Sequence, residues 1–303
     1  MQAIVFEEFG GPEVLRFKEI EEPHAGPGEV RVAVRAAGVN PADFKIRRGW
    51  FEAMAKTTFP AVPGYELAGV VDEVGEGVTE FAVGDEVVGW GKAGSYAQYA
   101  VAGIVAVKPA GVPFEQAVAL PVAGETSARV LRQLGLKAGE TLLVHGAAGG
   151  VGSVGAQLAV SLGATVIGTA SPANHDYLRS LGVIPVEYGD GLVERVRAVA
   201  PNGVDAVYDV AGKGALKASI ELRGGTDRIV TIADPTAGDL GVAFSAGGGS
   251  PEETKAGLVE QLQQVADDKL KLTVAETFAL RDAPKAQELS EAGHVNGKFV
   301  LIP

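Results

Sequence analysis

The chain contains no cysteine among its 303 residues. This absence excludes disulfide bonds, thiolate catalysis and zinc sites that use cysteine ligands. The four histidines lie in unrelated segments, without the spacing of metal ligands: His24, His145, His175 and His294. A lone histidine in a strand-like run, such as His145, is typically a packed residue. The sequence therefore predicts no metal site.

Long apolar runs and an excess of basic residues are also missing. No apolar run reaches the roughly 18 residues of a membrane-spanning helix. The N-terminal segment Met1–Glu8 has neither the basic part nor the long apolar part of a signal peptide. The formal net charge of -12 argues against nucleic acid and anionic membrane surfaces as partners. We expect a soluble, cytoplasmic protein that acts on a small molecule.

The length of the chain predicts two domains, and its rhythm changes between them. The first 110 residues or so contain short β-compatible runs separated by glycine and proline, a pattern typical of a barrel-like β domain. These runs are Ile4–Phe6, Val30–Val34, Leu67–Val74, Glu86–Val88 and Tyr96–Val101. A helical pattern follows over Pro113–Leu134.

From residue 140 onward, apolar strand-like runs alternate with helical patterns. Strands are predicted at Thr141–His145, Thr165–Thr169, Ile184–Val186, Ala206–Asp209, Arg228–Ile232 and Val242–Phe244. Helices are predicted at Gly150–Leu162, Ala173–Leu181, Leu192–Val199, Lys213–Leu222 and Glu252–Asp268. The tail adds a strand at Phe278–Leu280, a helix at Ala283–Ala292 and a strand at Phe299–Ile302. This alternation predicts a parallel sheet covered by helices on both faces.

The clearest functional signal is a glycine-rich turn between the first of these strands and its helix. Ala147 stands where the first glycine of a G-x-G-x-x-G fingerprint belongs, and Gly149 and Gly152 follow it. Such a turn brings backbone close to a pyrophosphate, and the helix N-terminus offers unpaired N–H groups. We therefore predict a dinucleotide pyrophosphate site formed by Gly149, Gly150, Val151 and Gly152.

The residues after the second strand indicate which dinucleotide binds. NAD-specific sites place an acid about 20 residues beyond the glycine turn, but no acid stands within Thr169–Ser171. Ser171, Asn174 and His175 can instead donate hydrogen bonds to a 2′-phosphate, which favours NADPH. Alternatively, Ser171 merely caps the next helix, with Pro172 at its first position.

Five stretches occur in an order that resembles a known family. They are Gly38-Val-Asn40-Pro-Ala-Asp43, Pro63-Gly-Tyr-Glu66-Leu-Ala-Gly69, Val83-Gly84-Asp85, Ala147-Ala-Gly149-Gly-Val-Gly152 and Gly297-Lys298-Phe. Together they resemble the medium-chain dehydrogenase/reductase superfamily, in its zinc-free NADPH:quinone oxidoreductase (ζ-crystallin-like) family. The resemblance implies an α/β fold in which a doubly wound Rossmann domain (116–268) is inserted into a GroES-like β-rich barrel domain (1–115 plus 269–303). It also implies NADPH in the interdomain cleft and a homodimer.

The resemblance also bears on the zinc site of related enzymes. Zinc-dependent relatives place Gly-His-Glu at the position of Gly64-Tyr65-Glu66, with a cysteine upstream. Here Tyr65 replaces the histidine and the cysteine is absent. We therefore interpret Glu66 as a structural carboxylate that accepts backbone or arginine hydrogen bonds.

Further cofactor contacts are implied by the resemblance alone. They are Asn40, Asp43, Thr126, Tyr188, Gly212, Ile232, Ala233 and Lys298. Two of them have structural alternatives that the sequence leaves open. Thr126 can cap a turn within Gly124–Ser127, and Asp43 can anchor its own loop.

The remaining chemistry is consistent with hydride transfer, in which the cofactor supplies the reactive hydrogen. Candidate proton donors are Tyr65, Lys45, Arg47 and Arg48. Trp50 and Phe51 either stack on a planar substrate or pack within their own loop. The sequence predicts an NADPH-dependent oxidoreductase that transfers hydride to a quinone. Reduction of an enone or enoyl substrate is the alternative within this class, and a non-catalytic NADPH-binding redox sensor is the alternative outside it.

Overall fold

The computed structural model describes residues 1–53, 55–247, 249–293 and 295–303. Two compact units divide the chain. The first unit contains Met1–Val122 together with Pro251–Pro303, and the second contains Ala123–Ser250. Within the described ranges, no helix has both the length and the apolar character needed to cross a membrane.

The N-terminal part of the first unit is built mainly from antiparallel strands. Its elements are β1 (Gln2–Val5), β2 (Arg16–Glu19), β3 (Val30–Val39), α1 (Pro41–Arg47), β4 (Glu66–Val74), β5 (Glu86–Gly91), β6 (Tyr99–Val107) and α2 (Phe114–Ala117). Strands β3 to β6 pair in sequence, and β3 also pairs with β6. This last pairing closes the sheet on itself, so the predicted barrel-like β domain is confirmed.

The helix α1 was not predicted from the sequence. Its first residue is Pro41, and the carboxylate of Asp43 accepts a hydrogen bond from the N–H of Asn40 at 2.8 Å. Proline at the first helical position and an acid in the first turn are both favourable at a helix start. The segment Asn40-Pro-Ala-Asp43 is therefore the local signal from which this short helix could have been found.

The second unit contains the alternating elements. The helix α3 (Pro121–Leu134) leads into it. The elements that follow are β7 (Thr141–His145), α4 (Gly150–Ser161), β8 (Thr165–Ala170), α5 (His175–Ser180), β9 (Ile184–Glu187), α6 (Leu192–Val199), β10 (Ala206–Asp209), α7 (Leu216–Arg223), β11 (Ile229–Thr231) and β12 (Ala243–Phe244). The strands form a parallel sheet in the order β12-β11-β10-β7-β8-β9.

Alternating residues of these strands bury two apolar layers, one on each face of the sheet. One layer joins Leu142, Val144, Val166 and Tyr208 to α3 and α4 through Val130, Leu134, Ala156 and Ala159. The other layer joins Leu143, Ile167, Val207 and Ile229 to α6 and α7 through Leu192, Val196, Leu216 and Leu222. The predicted doubly wound sheet is confirmed. Its strand order reverses between β7 and β10, where such sheets bind ligands.

The C-terminal part of the chain returns to the first unit. It consists of α8 (Pro251–Ala266), β13 (Val274–Ala279), α9 (Ala283–Ala292) and β14 (Lys298–Ile302). Strand β14 pairs antiparallel with β3 and parallel with β13, extending the first sheet. This return was implied by the family resemblance.

The helix α8 lies in a different unit from the one expected. The predicted boundary at 268/269 assigned it to the nucleotide-binding domain, whereas the structure groups it with the first unit. Lys255 on α8 forms an ion pair with Glu80 at 2.6 Å and lies over the ring of Phe81. The first boundary also differs, falling at 122/123 rather than 115/116.

Candidate functional site

The glycine turn after β7 requires glycine at two of its positions. Gly146 has a φ of +74°, which favours glycine. A Cβ on Gly152 would lie 2.2 Å from the carbonyl oxygen of Gly146, so no larger residue fits there. The first hydrogen bond within α4 runs from the N–H of Ser153 to the oxygen of Gly149 at 2.9 Å. The N–H groups of Gly150, Val151 and Gly152 precede that bond and are available to an anion.

The predicted 2′-phosphate residues follow β8 and are half-buried. The amide of Asn174 donates to the hydroxyl of Ser171 at 3.3 Å, and Nε2 of His175 lies 3.4 Å from the oxygen of Ala170. Ser171 is the N-cap residue of a 3-10 turn over Pro172–Asn174, but its hydroxyl makes no capping bond. The side-chain capping alternative for Ser171 is therefore not supported.

Other predicted cofactor residues also follow parallel strands. Tyr188 comes directly after β9 and is half-exposed. Gly212 lies beyond β10 with a φ of +60°, and a Cβ there would lie 2.6 Å from the carbonyl carbon of Ala233. Ile232 and Ala233 come directly after β11 and are half-buried. The turns after β7, β8, β9, β10 and β11 thus share the carboxyl edge of the sheet, where ligands bind in this architecture.

Thr126 has a different setting from these strand-end residues. It lies inside α3 and is buried. The alternative that Thr126 caps a turn is therefore wrong, because the surrounding residues Gly124–Ser127 are helical.

A buried polar cluster in the first unit brings together two predicted cofactor residues and Glu66. The ammonium of Lys298 donates to Asn40 Oδ1 at 2.7 Å and to Glu66 Oε1 at 2.5 Å. Asn40 Nδ2 also donates to Glu66 Oε1 at 2.9 Å. The other oxygen of Glu66 accepts the N–H of Val122 at 2.8 Å. Glu66 is thus a structural carboxylate, as predicted, but its cationic partner is lysine rather than arginine.

Asp43 lies in this cluster with one oxygen engaged and one free. Its Oδ2 accepts hydrogen bonds from the N–H of Asn40 at 2.8 Å and from the hydroxyl of Tyr96 at 2.7 Å. Its Oδ1 is buried and has no hydrogen-bond partner among the described residues. Burial raises the pKa of Asp43 to about 7, and the charge of Glu66 adds to this rise. The carboxyl therefore anchors its own segment, as one alternative proposed, although that segment is the start of α1 and not a loop. It also keeps an oxygen for a further donor.

The structure corrects the interpretation of Arg47 as a catalytic donor. Its guanidinium is fully buried and donates to Gln287 Oε1 at 2.7 Å, to the oxygen of Gly10 at 2.6 Å and to Glu291 at 3.0 Å. Arg48 also pairs with Glu291, at 2.8 Å. The bonds from Arg47 to Gln287 and Glu291 attach α1 to α9, so the buried Arg47 serves the fold and not a ligand.

Lys45 and Tyr65 remain available as proton donors. Within the described ranges, the ammonium of Lys45 has no hydrogen-bond or ion-pair partner, and burial lowers its pKa. Tyr65 is 40% exposed. Burial and then the charge of Asp43 raise the pKa of the Tyr65 hydroxyl, so it keeps its proton at neutral pH.

The two aromatic residues predicted to bind substrate differ in their packing. The ring of Trp50 lies 5.9 Å from that of Phe44 in an edge-to-face arrangement, yet Trp50 is 61% exposed. Phe51 is half-buried. One edge of the Trp50 ring thus packs against Phe44, while most of its surface is exposed to solvent. This setting is compatible both with stacking on a substrate and with packing within its own loop.

No metal centre is formed by the described part of the chain. Its His, Asp and Glu side chains form no group of three or more that could hold a metal ion. His145 is buried against Ser219, and His24 contacts Glu73. His294 lies outside the described residues.

Two family models match the chain. Residues 26–123 match the alcohol dehydrogenase GroES-like domain, and residues 183–301 match the zinc-binding dehydrogenase model. The description of the second model names zinc, whereas this sequence has Tyr65 at the histidine position and no cysteine.

Individual relatives are similar over nearly the whole chain. A quinone oxidoreductase of Pseudomonas aeruginosa is 34% identical over 99% of both chains. An NADPH-dependent alkenal/one oxidoreductase, chloroplastic, of Arabidopsis thaliana is 32% identical over 100% of this chain and 80% of its own. The crystal structure of Escherichia coli quinone oxidoreductase complexed with NADPH matches 100% of both chains with a TM-score of 0.89 and 28% identity.

Proposed function

The chain belongs to the zinc-free quinone oxidoreductase family of the medium-chain dehydrogenase/reductase superfamily, and from this premise we propose that it transfers hydride from NADPH to a quinone. The observation that carries the proposal is the glycine turn between β7 and α4. It lies at the point where the strand order of the parallel sheet reverses. This is the position at which such sheets bind dinucleotides.

The residues at this edge of the sheet fit an NADPH molecule. The bare Cα of Gly152 and the N–H groups of Gly150, Val151 and Gly152 suit a pyrophosphate. The first polar residues after β8 are donors, which suits a 2′-phosphate, and the acid beyond them, Asp176, is exposed and paired with Arg179. The remaining proposed contacts in the second unit are Thr126, Gly149, Ser171, Asn174, His175, Tyr188, Gly212, Ile232 and Ala233. In the first unit, Asn40, Asp43 and Lys298 are proposed on the strength of the family resemblance alone.

When bound, NADPH supplies the hydride that the acceptor receives. The protein's own part is to hold the acceptor and to manage a proton. A quinone is already electron-poor and needs little acid assistance. Tyr65 keeps its hydroxyl proton at neutral pH and is the donor that we propose for the acceptor oxygen. Lys45 is the second proposed donor, and the exposed ring of Trp50 with Phe51 is the proposed apolar contact.

Reduction of an enone is a second candidate function. It is favoured by the likeness to an NADPH-dependent alkenal/one oxidoreductase. An α,β-unsaturated carbonyl gains more than a quinone from a donor near its oxygen, because charge develops there as hydride arrives. The two candidates therefore differ in how strongly turnover depends on the Tyr65 hydroxyl.

A panel of acceptors tests both candidates. NADPH oxidation is measured with simple quinones and enones, and alcohols are offered with NADP⁺ in the reverse direction. We expect quinone turnover to exceed alcohol oxidation. Alcohol dehydrogenase activity without quinone turnover would overturn the assignment, and NADPH binding without turnover of any acceptor would favour the redox-sensor alternative.

The variant Tyr65→Phe then separates the two acceptor classes. It should reduce kcat slightly with quinones and more strongly with enones. Tyr99→Phe is the matched control, because the Tyr99 ring packs against Arg31 and belongs to β6. Equal losses with both acceptor classes would remove Tyr65 from the donor role.

We also propose that the protein is a cytoplasmic homodimer. A dimer is supported by β12, which lies at the edge of the second sheet and exposes both of its residues, Ala243 and Phe244. Paired edge strands are a common means of joining two copies. Sedimentation velocity of the wild type and of Phe244→Glu tests this proposal, and a monomeric wild type would contradict it. Cell fractionation tests the location.

A further inference from the structure

Four buried polar side chains form a row across neighbouring strands of the second unit, near the strands' carboxyl ends. This strand-end row consists of Thr169 on β8, His145 on β7, Asp209 on β10 and Thr231 on β11. His145 pairs in register with Thr169 and with Asp209, and Asp209 pairs with Thr231. All four are 0–2% exposed. Burying polar groups is costly unless they are hydrogen-bonded, so their partners indicate what the row does.

The row accepts hydrogen bonds from the backbone of the turns that follow its strands. The hydroxyl of Thr169 accepts the N–H of Gly146 at 3.2 Å. The carboxylate of Asp209 accepts the N–H groups of Ala211 and Gly212 at 3.0 and 3.1 Å. The hydroxyl of Thr231 accepts the N–H groups of Ala233 and Asp234 at 3.1 and 3.0 Å. These turns carry Gly146, at the start of the glycine turn after β7, and the two proposed cofactor contacts Gly212 and Ala233. The conformation of each turn is thus tied to a buried side chain rather than to solvent.

Thr231 and Asp209 also bond to each other. The hydroxyl of Thr231 donates to Asp209 Oδ2 at 2.8 Å, while its oxygen accepts the two N–H groups of the following turn. Replacing this hydroxyl with a methyl group would leave two N–H groups and a carboxylate oxygen without their partner. An unsatisfied buried group costs about 1–3 kcal/mol.

The contacts of His145 with Ser219 and Thr169 determine which nitrogen of its ring carries the proton. The hydroxyl of Ser219 donates to the oxygen of Ala215 at 2.9 Å, so it must accept from Nε2–H of His145, also at 2.9 Å. This leaves Nδ1 without a proton, facing the hydroxyl of Thr169 at 3.5 Å. Burial lowers the pKa of His145 to about 4, despite the charge of Asp209, which agrees with a neutral ring.

We propose that the strand-end row of Thr169, His145, Asp209 and Thr231 sets the affinity for NADPH by fixing the turns at Gly146, Gly212 and Ala233. The proposal rests on the proposed function, since those turns are its cofactor contacts. The four side chains are positioning residues, because they are buried and act through the backbone N–H groups that they hold. Loosened turns weaken NADPH binding, whereas reduction at saturating NADPH is largely preserved.

The test measures the Kd for NADPH by titration calorimetry without any quinone present. Thr231→Val and Thr169→Val remove the hydroxyl while keeping the shape, and each should raise the Kd about tenfold. Thr231→Ser and Thr169→Ser keep the hydroxyl and should restore the wild-type Kd. Thr165→Val is the matched control, because Thr165 is exposed at the opposite end of β8. For both valine variants, kcat at saturating NADPH should stay within about twofold of wild type.

Each outcome decides between a positioning role and a structural one. Valine variants with a lowered Tm and an unchanged Kd would overturn the proposal. If they fail to fold, Asp209→Asn provides a second test. Its NH₂ cannot accept from Thr231, so the Thr231 hydroxyl loses the bond that orients it toward the N–H groups of Ala233 and Asp234. An unchanged Kd in Asp209→Asn would overturn the proposal, and a raised Kd supports it. A wild type that does not bind NADPH would overturn the proposed function as well.

Discussion

A Cβ placed on Gly168 would lie 2.6 Å from the Cβ of Ala147. Ala147 occupies the first glycine position of the dinucleotide fingerprint and is fully buried. The methyl group of Ala147 therefore lies against Gly168, the one residue of β8 that has no side chain. The departure of this sequence from the fingerprint is accommodated by a glycine on the adjacent strand and does not require a distorted turn.

The first prediction concerns this pair. Gly168→Ala should lower the free energy of unfolding by about 1–3 kcal/mol, because the new methyl group would overlap Ala147 and also Val183. Combining it with Ala147→Gly should recover part of the loss, since only one of the two overlaps is removed. Urea denaturation measures both effects.

The control for this experiment is another strand glycine. Gly103 lies in β6, and a Cβ there would meet no atom of the described residues within 4 Å. Gly103→Ala should therefore leave the free energy of unfolding nearly unchanged. A Gly168→Ala variant as stable as wild type would show that Ala147 and Gly168 do not constrain each other.

The alternating half of the fold was predictable because its signals are local. Strands β7 and β10 and the helix α6 begin and end at the predicted residues. In β7 and β10, continuous apolar runs mark a sheet buried on both faces. The strand β2 was missed for the opposite reason, since its sequence Arg-Phe-Lys-Glu leaves three residues exposed and none fully buried.

The candidate site was less accessible to sequence reasoning than the fold. The glycine turn is local and was identified from spacing. The buried state of Arg47 was not predicted, because Gln287 and Glu291 lie 240 and 244 residues away in the sequence. Asp209 and Thr231 were missed as well, since each appears in the sequence only as the polar end of an apolar strand.

The second prediction concerns the pH dependence that Asp43 causes. Its pKa is about 7 in the folded protein, against an ordinary value of 3.8. Between these values the folded protein holds a proton that the unfolded chain has lost, so the stability contribution of Asp43 falls as pH rises through this window. The full loss is about 4 kcal/mol. Compared with Asp43→Asn, the wild type should lose stability up to about pH 7 and change no further above it.

A second variant distinguishes this cause from a general effect of pH. The hydroxyl of Tyr96 donates to Asp43 and lowers its pKa. Tyr96→Phe should therefore extend the window of declining stability to higher pH. Denaturant titrations at several pH values measure all three proteins, and parallel wild-type and Asp43→Asn curves would show that Asp43 is ionised throughout.

The third prediction concerns the buried pair of Lys298 and Glu66. Lys298→Met would leave the Glu66 carboxylate buried beside Asn40 without its cation, which typically costs about 3–5 kcal/mol. Adding Glu66→Gln removes that uncompensated charge and should recover part of the stability. The change is measured by thermal and urea unfolding.

An exposed ion pair provides the comparison. Lys255 and Glu80 are 2.6 Å apart but lie largely at the surface. Lys255→Met should cost no more than about 1 kcal/mol, because solvent screens the pair. Similar losses for Lys298→Met and Lys255→Met would mean that the buried cluster contributes no more than a surface pair.

The fourth prediction concerns the choice between the two nicotinamide cofactors. Ser171, Asn174 and His175 follow β8 as half-buried potential donors, no acid stands within Thr169–Ser171, and the first acid beyond them, Asp176, is exposed and paired with Arg179. A hydrogen bond to a charged phosphate contributes about 1.5–3 kcal/mol, so kcat/KM should favour NADPH over NADH by roughly tenfold or more. Equal efficiency with both cofactors would contradict the assignment of these residues.

The same site can be altered to reverse its preference. Ser171→Asp places a carboxylate where the 2′-phosphate is expected, so it should repel NADPH while offering an acceptor to the ribose hydroxyls of NADH. Ser180→Asp is the matched control, because Ser180 is exposed at the last residue of α5 and bonds only to the Tyr177 oxygen among its described contacts. We expect kcat/KM for NADPH to fall at least tenfold in Ser171→Asp, with NADH retained, and to stay unchanged in Ser180→Asp. A Ser171→Asp enzyme that still prefers NADPH would place the 2′-phosphate away from Ser171.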